Sequence, residues 1–178
     1  MSLPNENQIA VTSGEFAMAL FDLMRRDGKD FCIELQKQAE NKWSFEQDEV
    51  VILGDQMVVA YLWMASKVLA HDKHALDLLH NVHFDAFYNQ GETKEEKARL
   101  ANNAQIELCE RYEKYYKAWD DDAKAKGGLA LSMEMAQFFF PKRKPVIDFF
   151  IENTIKAGIY AFIISLSEFR KKYKITDD

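Results

Sequence analysis

The sequence has few of the residues that interrupt helices or cross-link a chain. Its 178 residues contain only 7 Gly, 3 Pro and 2 Cys. The scarcity of Gly and Pro leaves few obligatory turns, which favours long helices joined by short connections. Two cysteines cannot build a disulfide framework, so the fold must depend on its hydrophobic core. A chain of this length can bury enough surface to form one.

The two cysteines and the first residues of the chain indicate a reducing compartment. Cys32 and Cys109 each lie in a helical pattern beside apolar neighbours, so both are expected to be buried free thiols. Residues 1–8 lack the basic start and the apolar run of a secretory signal. We therefore expect a cytoplasmic protein.

The sequence also lacks an excess of basic residues and any long uncharged run. The formal net charge is −6, and the densest basic cluster is Lys142, Arg143 and Lys144. Nucleic-acid binding is therefore not expected. The longest uncharged stretches, Gln56–Ser66 and Ala157–Ser167, have 11 residues each. A membrane-spanning helix needs about 20 apolar residues, so no transmembrane segment is predicted.

Established catalytic signatures are absent from the sequence. It contains no Gly-rich phosphate loop, no nucleophile elbow and no paired-cysteine zinc motif. The acidic residues Glu107, Glu110 and Glu113 each precede a basic residue by four positions, which predicts ion pairs on a helix surface rather than a magnesium site. No cofactor is predicted.

Helical periodicity dominates the residues that are present. Apolar residues recur at spacings of three and four, which predicts an all-α, single-domain bundle of about five to seven helices over residues 13–174. Residues 1–12 are expected to form a flexible tail. The first helix should begin near Ser13, with Glu15 in its first turn. It either stops at Gly28 or continues, kinked, to about Asn41.

Two unusually apolar helices are expected at the centre of the bundle. The first covers Val50–Ala70 after a capping box at Ser44 and Gln47, and it should break near 71–73 before the helical pattern resumes. The second covers about Pro145–Tyr173 and is suited to the bundle centre or to a dimer seam.

Two further helices lie between these apolar ones. A capping box at Thr93 and Glu96 predicts a long amphipathic helix that ends before Gly127. A short apolar helix at 129–139 should then stop before Pro141.

All four histidines of the chain lie between positions 71 and 83, which makes this stretch the leading candidate for a metal or small-molecule site. The candidate ligands are His71, His74, Asp77 and His83. On a regular helix His71 and His74 point roughly opposite to His83, so these residues meet at one metal only if the helix is broken. The alternative is one buried core histidine and three surface histidines.

Aromatic residues provide the other candidates. A ligand pocket between the central helices would be lined by Tyr61, Trp63, Tyr112, Tyr115 and Trp119. The segment Phe138, Phe139 and Phe140 is a candidate surface for interaction with another protein.

Two functional hypotheses follow. The first is a non-enzymatic helical bundle that acts through protein–protein interaction, with either a protein partner or a second copy of itself. The alternative is a bundle that binds a small molecule or a metal, including a hydrolase, through the stretch from His71 to His83.

Overall fold

The computed structural model describes residues 8–39, 47–125, 130–140 and 149–176. In that part of the chain, six helices and two short strands confirm the predicted all-α bundle. The elements in chain order are β1 (Ile9–Val11), α1 (Ser13–Ala39), α2 (Gln47–Val68), α3 (Lys73–Tyr88), α4 (Lys94–Ala125), α5 (Ala130–Phe139), α6 (Phe149–Lys172) and β2 (Tyr173–Ile175). The predicted boundary residues Ser44, Pro141 and Pro145 lie outside the described residues.

A capping box opens α1, one residue earlier than Ser13. The Thr12 hydroxyl accepts a hydrogen bond from the backbone N–H of Glu15 at 3.2 Å, and the Glu15 carboxylate accepts one from the backbone N–H of Thr12 at 2.9 Å. This reciprocal pair satisfies donors that a helix start leaves without partners.

Gly28 lies within α1 and does not end it. A Cβ atom at this position would lie 3.5 Å from Met57 Cβ and 3.8 Å from Tyr61 Cε2. The glycine therefore lies where α1 packs closely against α2, and of the two predicted alternatives the continuous helix is correct.

Local capping also sets the boundaries of α3, α4 and α5. The Asp72 carboxylate accepts a hydrogen bond from Ala75 N at 3.2 Å, which starts α3 and confirms the predicted break near 71–73. The Thr93 hydroxyl accepts one from Glu96 N at 3.1 Å at the start of α4. Asp122 near the end of α4 accepts from the N–H groups of Ala130 and Leu131, at 2.7 and 3.0 Å, and so caps α5.

The two ends of the described chain meet in a two-stranded parallel pair. Ile9 lies opposite Tyr173 and Val11 opposite Ile175 in the register of β1 and β2. Residues 9–11 of the expected flexible tail are therefore in a strand, and residues 1–7 lie outside the described part. The periodicity of the sequence does not predict this strand pair, because the backbone hydrogen bonds between β1 and β2 join residues that are far apart in sequence.

The core lies around α2. Every side chain from Val59 to Ser66 is buried, and the Tyr61 ring stacks on Phe162 of α6 with centroids 3.9 Å apart. Helix α1 packs on α2 and α3, α3 on α4, α4 on α5, and α5 on α6. Within the described residues, none of the helices has both the length and the apolar character needed to cross a bilayer.

Helix α6 contributes one buried face and one exposed face. Its buried residues recur every three or four positions, as a helix packed on one side requires: Ile151, Ile155, Ile159, Phe162 and Leu166. Tyr160 and Ile164 are exposed on the other side, at 57% and 64%.

The cysteines differ in burial. Cys32 is buried, as expected, whereas Cys109 is exposed, which corrects the prediction that both thiols are buried. Cys109 follows the buried Leu108 by one position on α4, and a single step of about 100° turns its side chain away from the core.

Candidate functional site

The predicted metal ligands are spread over a turn and two sides of α3. His71 lies in the turn between α2 and α3, and His74 and Asp77 are exposed. His83 is 4% exposed and lies in the core. Across residues 8–39, 47–125, 130–140 and 149–176, no group of three or more His, Cys, Asp or Glu side chains is arranged to hold a metal. The break before α3 therefore does not gather these four residues.

His83 is surrounded by aromatic rings. Its imidazole centroid lies 5.1 Å from that of Phe87, 5.6 Å from Phe84 and 6.3 Å from Phe21. Burial, followed by the nearby His80 and Arg111, lowers the pKa of His83 to about 4. The imidazole is therefore neutral near pH 7.

His80 is half-buried rather than on the surface. Its Nε2 atom lies 3.0 Å from the Tyr112 hydroxyl. Burial lowers the pKa of His80, and the nearby Asp77 opposes that change.

The predicted aromatic pocket is divided between two places. Trp63 forms edge contacts with Tyr115 and Trp119, each with centroids 5.8 Å apart, at the interface of α2 and α4. Tyr112 lies about one turn earlier on α4, beside His80. Tyr61 faces α1 and α6 instead. The five aromatic residues therefore do not line a common pocket.

Lys67 is a charged residue of the apolar helix α2, and its ammonium group packs on three aromatic rings. Its ammonium nitrogen lies 4.2 Å from the centroid of the Tyr116 ring and 5.6 Å from the centroids of Trp63 and Trp119. Cation–π contacts of this kind stabilise a partly covered ammonium group. Trp119 is 42% exposed, so the aromatic stripe of α4 ends at the surface.

The segment Phe138–Phe140 is largely core. Phe139 is 1% exposed and Phe140 is 3% exposed, so neither ring is available to a partner. Phe138 is partly buried, between the guanidinium of Arg111 at 4.9 Å and the ammonium of Lys114 at 4.8 Å. The prediction that all three rings form an interaction surface is wrong, because α5 packs this segment into the bundle.

An apolar depression lies between α1 and α6. It begins as a cavity of about 540 Å³ with Phe31, Tyr61 and Phe162 among its apolar lining residues. On the α6 side it is lined by the small residues Ala157, Gly158 and Ala161. A Cβ atom on Gly158 would lie 2.5 Å from the Phe31 ring, so a larger residue fits here only if that ring moves.

A second cavity of about 780 Å³ continues the depression at Ser165, toward the β pair. We call the two cavities together the α1/α6 groove. Acidic residues line its α1 wall at Asp22, Asp27, Asp30 and Glu34. Burial, and then the nearby Asp27, Cys32 and Asp30, raise the pKa of the Tyr61 hydroxyl above its ordinary value.

The sequence already contained a signal for the acidic wall of this groove. Asp27, Asp30 and Glu34 follow one another at steps of three and four, which places them on one face of α1. Only the position of α6 turns this acidic face into a wall of a groove.

A smaller cavity of about 110 Å³ lies among α2, α3 and α4. We call it the Arg111 cavity. Its lining residues combine charged, polar and apolar side chains: Asp55, Gln56, Val59, His83, Phe87, Ala104, Glu107, Leu108 and Arg111. Glu107 and Arg111 form the ion pair that their spacing predicts. The pair is not wholly on the surface, however, because Arg111 is only 5% exposed.

The Arg111 cavity also shares His83 with the predicted small-molecule site. It lies at the middle of α2, because Asp55, Gln56 and Val59 supply the α2 wall.

Neither a protein-family model, nor a curated protein, nor a solved structure matches this chain.

Proposed function

We propose that this protein is a non-enzymatic helical bundle that binds a basic amphipathic helix of a protein partner. The binding surface is the α1/α6 groove. The observation that carries the proposal is an apolar depression with an acidic wall running along two neighbouring helices. Grooves of this form accept the apolar face of an amphipathic helix.

The dimensions of the groove suit a helix better than a compact ligand. Its lining residues on α6 extend from Asn153 to Lys172, a distance of about 28 Å at the helical rise. A partner helix of about 18 residues has the same length. Small side chains at Ala157 and Ala161 allow another backbone to approach α6 closely, and the exposed Ile164 adds apolar surface.

The charge of the groove favours a basic partner. The described lining residues include five acidic side chains and two basic ones: Asp22, Asp27, Asp30, Glu34 and Glu168 against Arg26 and Lys172. Arg26 pairs with Asp27 at 3.4 Å, but the Arg26 side chain is 68% exposed, so solvent weakens this pair. The excess negative charge steers cationic helices toward the groove at low salt.

The test is the binding of labelled helical peptides by fluorescence anisotropy. One peptide carries a leucine stripe with lysines on its other face, and its matched control carries glutamates in place of the lysines. We expect the lysine peptide to bind, more weakly as salt is raised, and the glutamate peptide not to bind. Equal binding of both peptides, or of neither, would refute the proposal.

Two matched pairs of variants locate the binding. Ala161→Trp fills the groove, and its control is Ala123→Trp at an exposed position of α4. Asp30→Lys reverses a charge of the acidic wall, and its control is Asp85→Lys on α3. We expect each groove variant to lower the affinity for the lysine peptide about tenfold at low salt. Each control variant should bind this peptide with unchanged affinity.

Two other occupants are separate outcomes of the same experiment. If sedimentation velocity shows a dimer that Ala161→Trp converts to a monomer, the groove binds a second copy and not another protein. If small aromatic amines bind and the lysine peptide does not, the cavity near Tyr61 is a small-molecule site. Either result would overturn the proposed partner.

A further inference from the structure

The Arg111 cavity contains buried polar groups that the described structure leaves unsatisfied. The Nε and Nη1 atoms of Arg111 and the Oε1 atom of Gln56 are buried without a hydrogen-bond partner. Both residues line the cavity, one from α4 and one from α2. Burying such groups without partners costs stability, and a guanidinium costs more than a neutral group. A bound molecule that supplies an acceptor and a donor would remove this cost.

The charges around the cavity are divided between its interior and its mouth. Arg111 and His83 are buried, at 5% and 4% exposure, whereas Asp55 and Glu107 are exposed residues. Burial, followed by the nearby Glu107, raises the pKa of Asp55, so these two carboxylates repel one another. A positive group between them would relieve the repulsion, and a negative group would find an N–H donor deeper inside.

We propose that the Arg111 cavity binds a small zwitterion, an α-amino acid of the size of glycine or alanine. Its carboxylate accepts hydrogen bonds from the unpaired N–H groups of Arg111. Its ammonium group lies between Asp55 and Glu107 and donates a hydrogen bond to Gln56 Oε1. This site shares no lining residue with the α1/α6 groove, so it is independent of the proposed partner binding.

Size and charge exclude other classes of ligand. A volume of about 110 Å³ is that of about four water molecules, which admits the smallest amino acids but not one with a large side chain. A simple anion would meet the carboxylates of Asp55 and Glu107, and a simple cation would meet the guanidinium of Arg111. Only a molecule that carries both charges is paired at both ends.

The experiment titrates the full chain with glycine, L-alanine, acetate, methylammonium and L-leucine. The readouts are isothermal calorimetry and the ¹³C-edited NMR signal of the His83 ring, because that imidazole lines the cavity. We expect glycine and L-alanine to bind and to shift the His83 signal. Acetate, methylammonium and L-leucine are expected to do neither at the same concentrations.

Two variants and one control assign the two ends of the ligand. Asp55→Asn removes a charge from an exposed residue without loss of volume, and we expect it to lower the affinity for glycine about tenfold. Arg111→Lys keeps the positive charge but removes the guanidinium, with a similar expected loss. Glu110→Gln, at an exposed position next to neither end, is the control and should bind as the unchanged chain does.

Each other result contradicts the proposal in a distinct way. Binding of acetate as strong as that of glycine would make the cavity an anion site. Binding of L-leucine, or an unchanged affinity in Asp55→Asn, would place the amino acid elsewhere on the protein. If neither glycine nor L-alanine shifts the His83 signal at millimolar concentration, water alone fills the cavity and the proposal fails.

Discussion

The buried imidazole of His83 makes the stability of the protein depend on pH, and the substitution His83→Phe isolates this dependence. His83 is 4% exposed, and its pKa falls from 6.5 to about 4 in the folded chain. The unfolded chain therefore binds a proton more readily than the folded chain between these two values. The stability contributed by the neutral imidazole is complete above pH 6.5 and is lost as the pH falls toward 4.

The size of the effect follows from the two pKa values. Linkage gives a loss of about 2 kcal/mol at pH 5 and about 3 kcal/mol at pH 4, relative to neutral pH. Phenylalanine has a similar shape, cannot be protonated, and keeps the contacts with Phe84 and Phe87. Relative to the unchanged chain, His83→Phe should therefore gain about 2 kcal/mol between pH 7 and pH 5.

The assay is urea unfolding at half-unit steps from pH 7 to pH 4, without added ligand. Other groups near this cavity also titrate: the lowered pKa of His80 adds to the loss at low pH, and the raised pKa of Asp55 opposes it. Both are present in the variant and the unchanged chain, so the difference between them reports His83. The control variant His74→Gln removes an exposed imidazole instead of the buried one. Equal slopes for His83→Phe and the unchanged chain, or an NMR titration of His83 near pH 6.5, would refute the reasoning.

Three further predictions test the packing and the helix boundaries. Gly158→Ala forces the Phe31 ring to move, because the added Cβ lies 2.5 Å from it, and should cost about 1 to 3 kcal/mol in urea unfolding. An unchanged unfolding midpoint would show that the ring moves freely. Thr12→Ala removes the hydroxyl that caps α1 and should cost about 1 kcal/mol, while Thr12→Ser should cost less; equal losses would assign the effect to something other than the cap. An aromatic disulfide reagent should react with Cys109 in the native protein and with Cys32 only after unfolding, since Cys32 is buried and its pKa is raised to about 11; rapid labelling of both thiols in the native state would contradict the burial of Cys32.

Helix boundaries could be predicted where a few neighbouring residues determine them. Thr93 and Glu96 form the start of α4 as the motif predicts, since both partners lie in the same turn. The break between α2 and α3 was also predictable, because ordinary helix lengths do not allow one helix across both. Gly28 was ambiguous, since its role depends on α2, which is not adjacent to it in sequence.

The candidate sites could not be predicted in the same way, because each depends on how helices pack. The α1/α6 groove needs an acidic face on one helix and small residues on another, and sequence spacing gives each face but not their contact. Phe138, Phe139 and Phe140 show the converse error. A run of three aromatic residues has the composition of an interaction surface, but α5 buries two of its rings.

Arg111 shows most clearly why pairing rules alone misplace a charged residue. Its ion pair with Glu107 was predicted and is present, but this pairing does not determine which partner faces solvent. Arg111 lies three residues after Leu108 and four before Tyr115, so it occupies the buried stripe of α4. The long side chain tolerates this position because its guanidinium packs on the Phe138 ring.

The burial of Arg111 also connects the stability of the chain to the occupancy of its cavity. Two of its nitrogen atoms, Nε and Nη1, remain without hydrogen-bond partners in the described structure, so the unliganded fold carries a desolvation cost. A ligand that pairs them binds the folded chain and not the unfolded one. It must therefore raise the unfolding midpoint, and the gain in stability grows with the logarithm of one plus the ratio of its concentration to its dissociation constant. If glycine stabilises the unchanged chain and Glu110→Gln equally but does not stabilise Arg111→Lys, the desolvation cost that glycine relieves is that of the Arg111 guanidinium. If glycine stabilises all three equally, it acts on the solvent and not on the cavity.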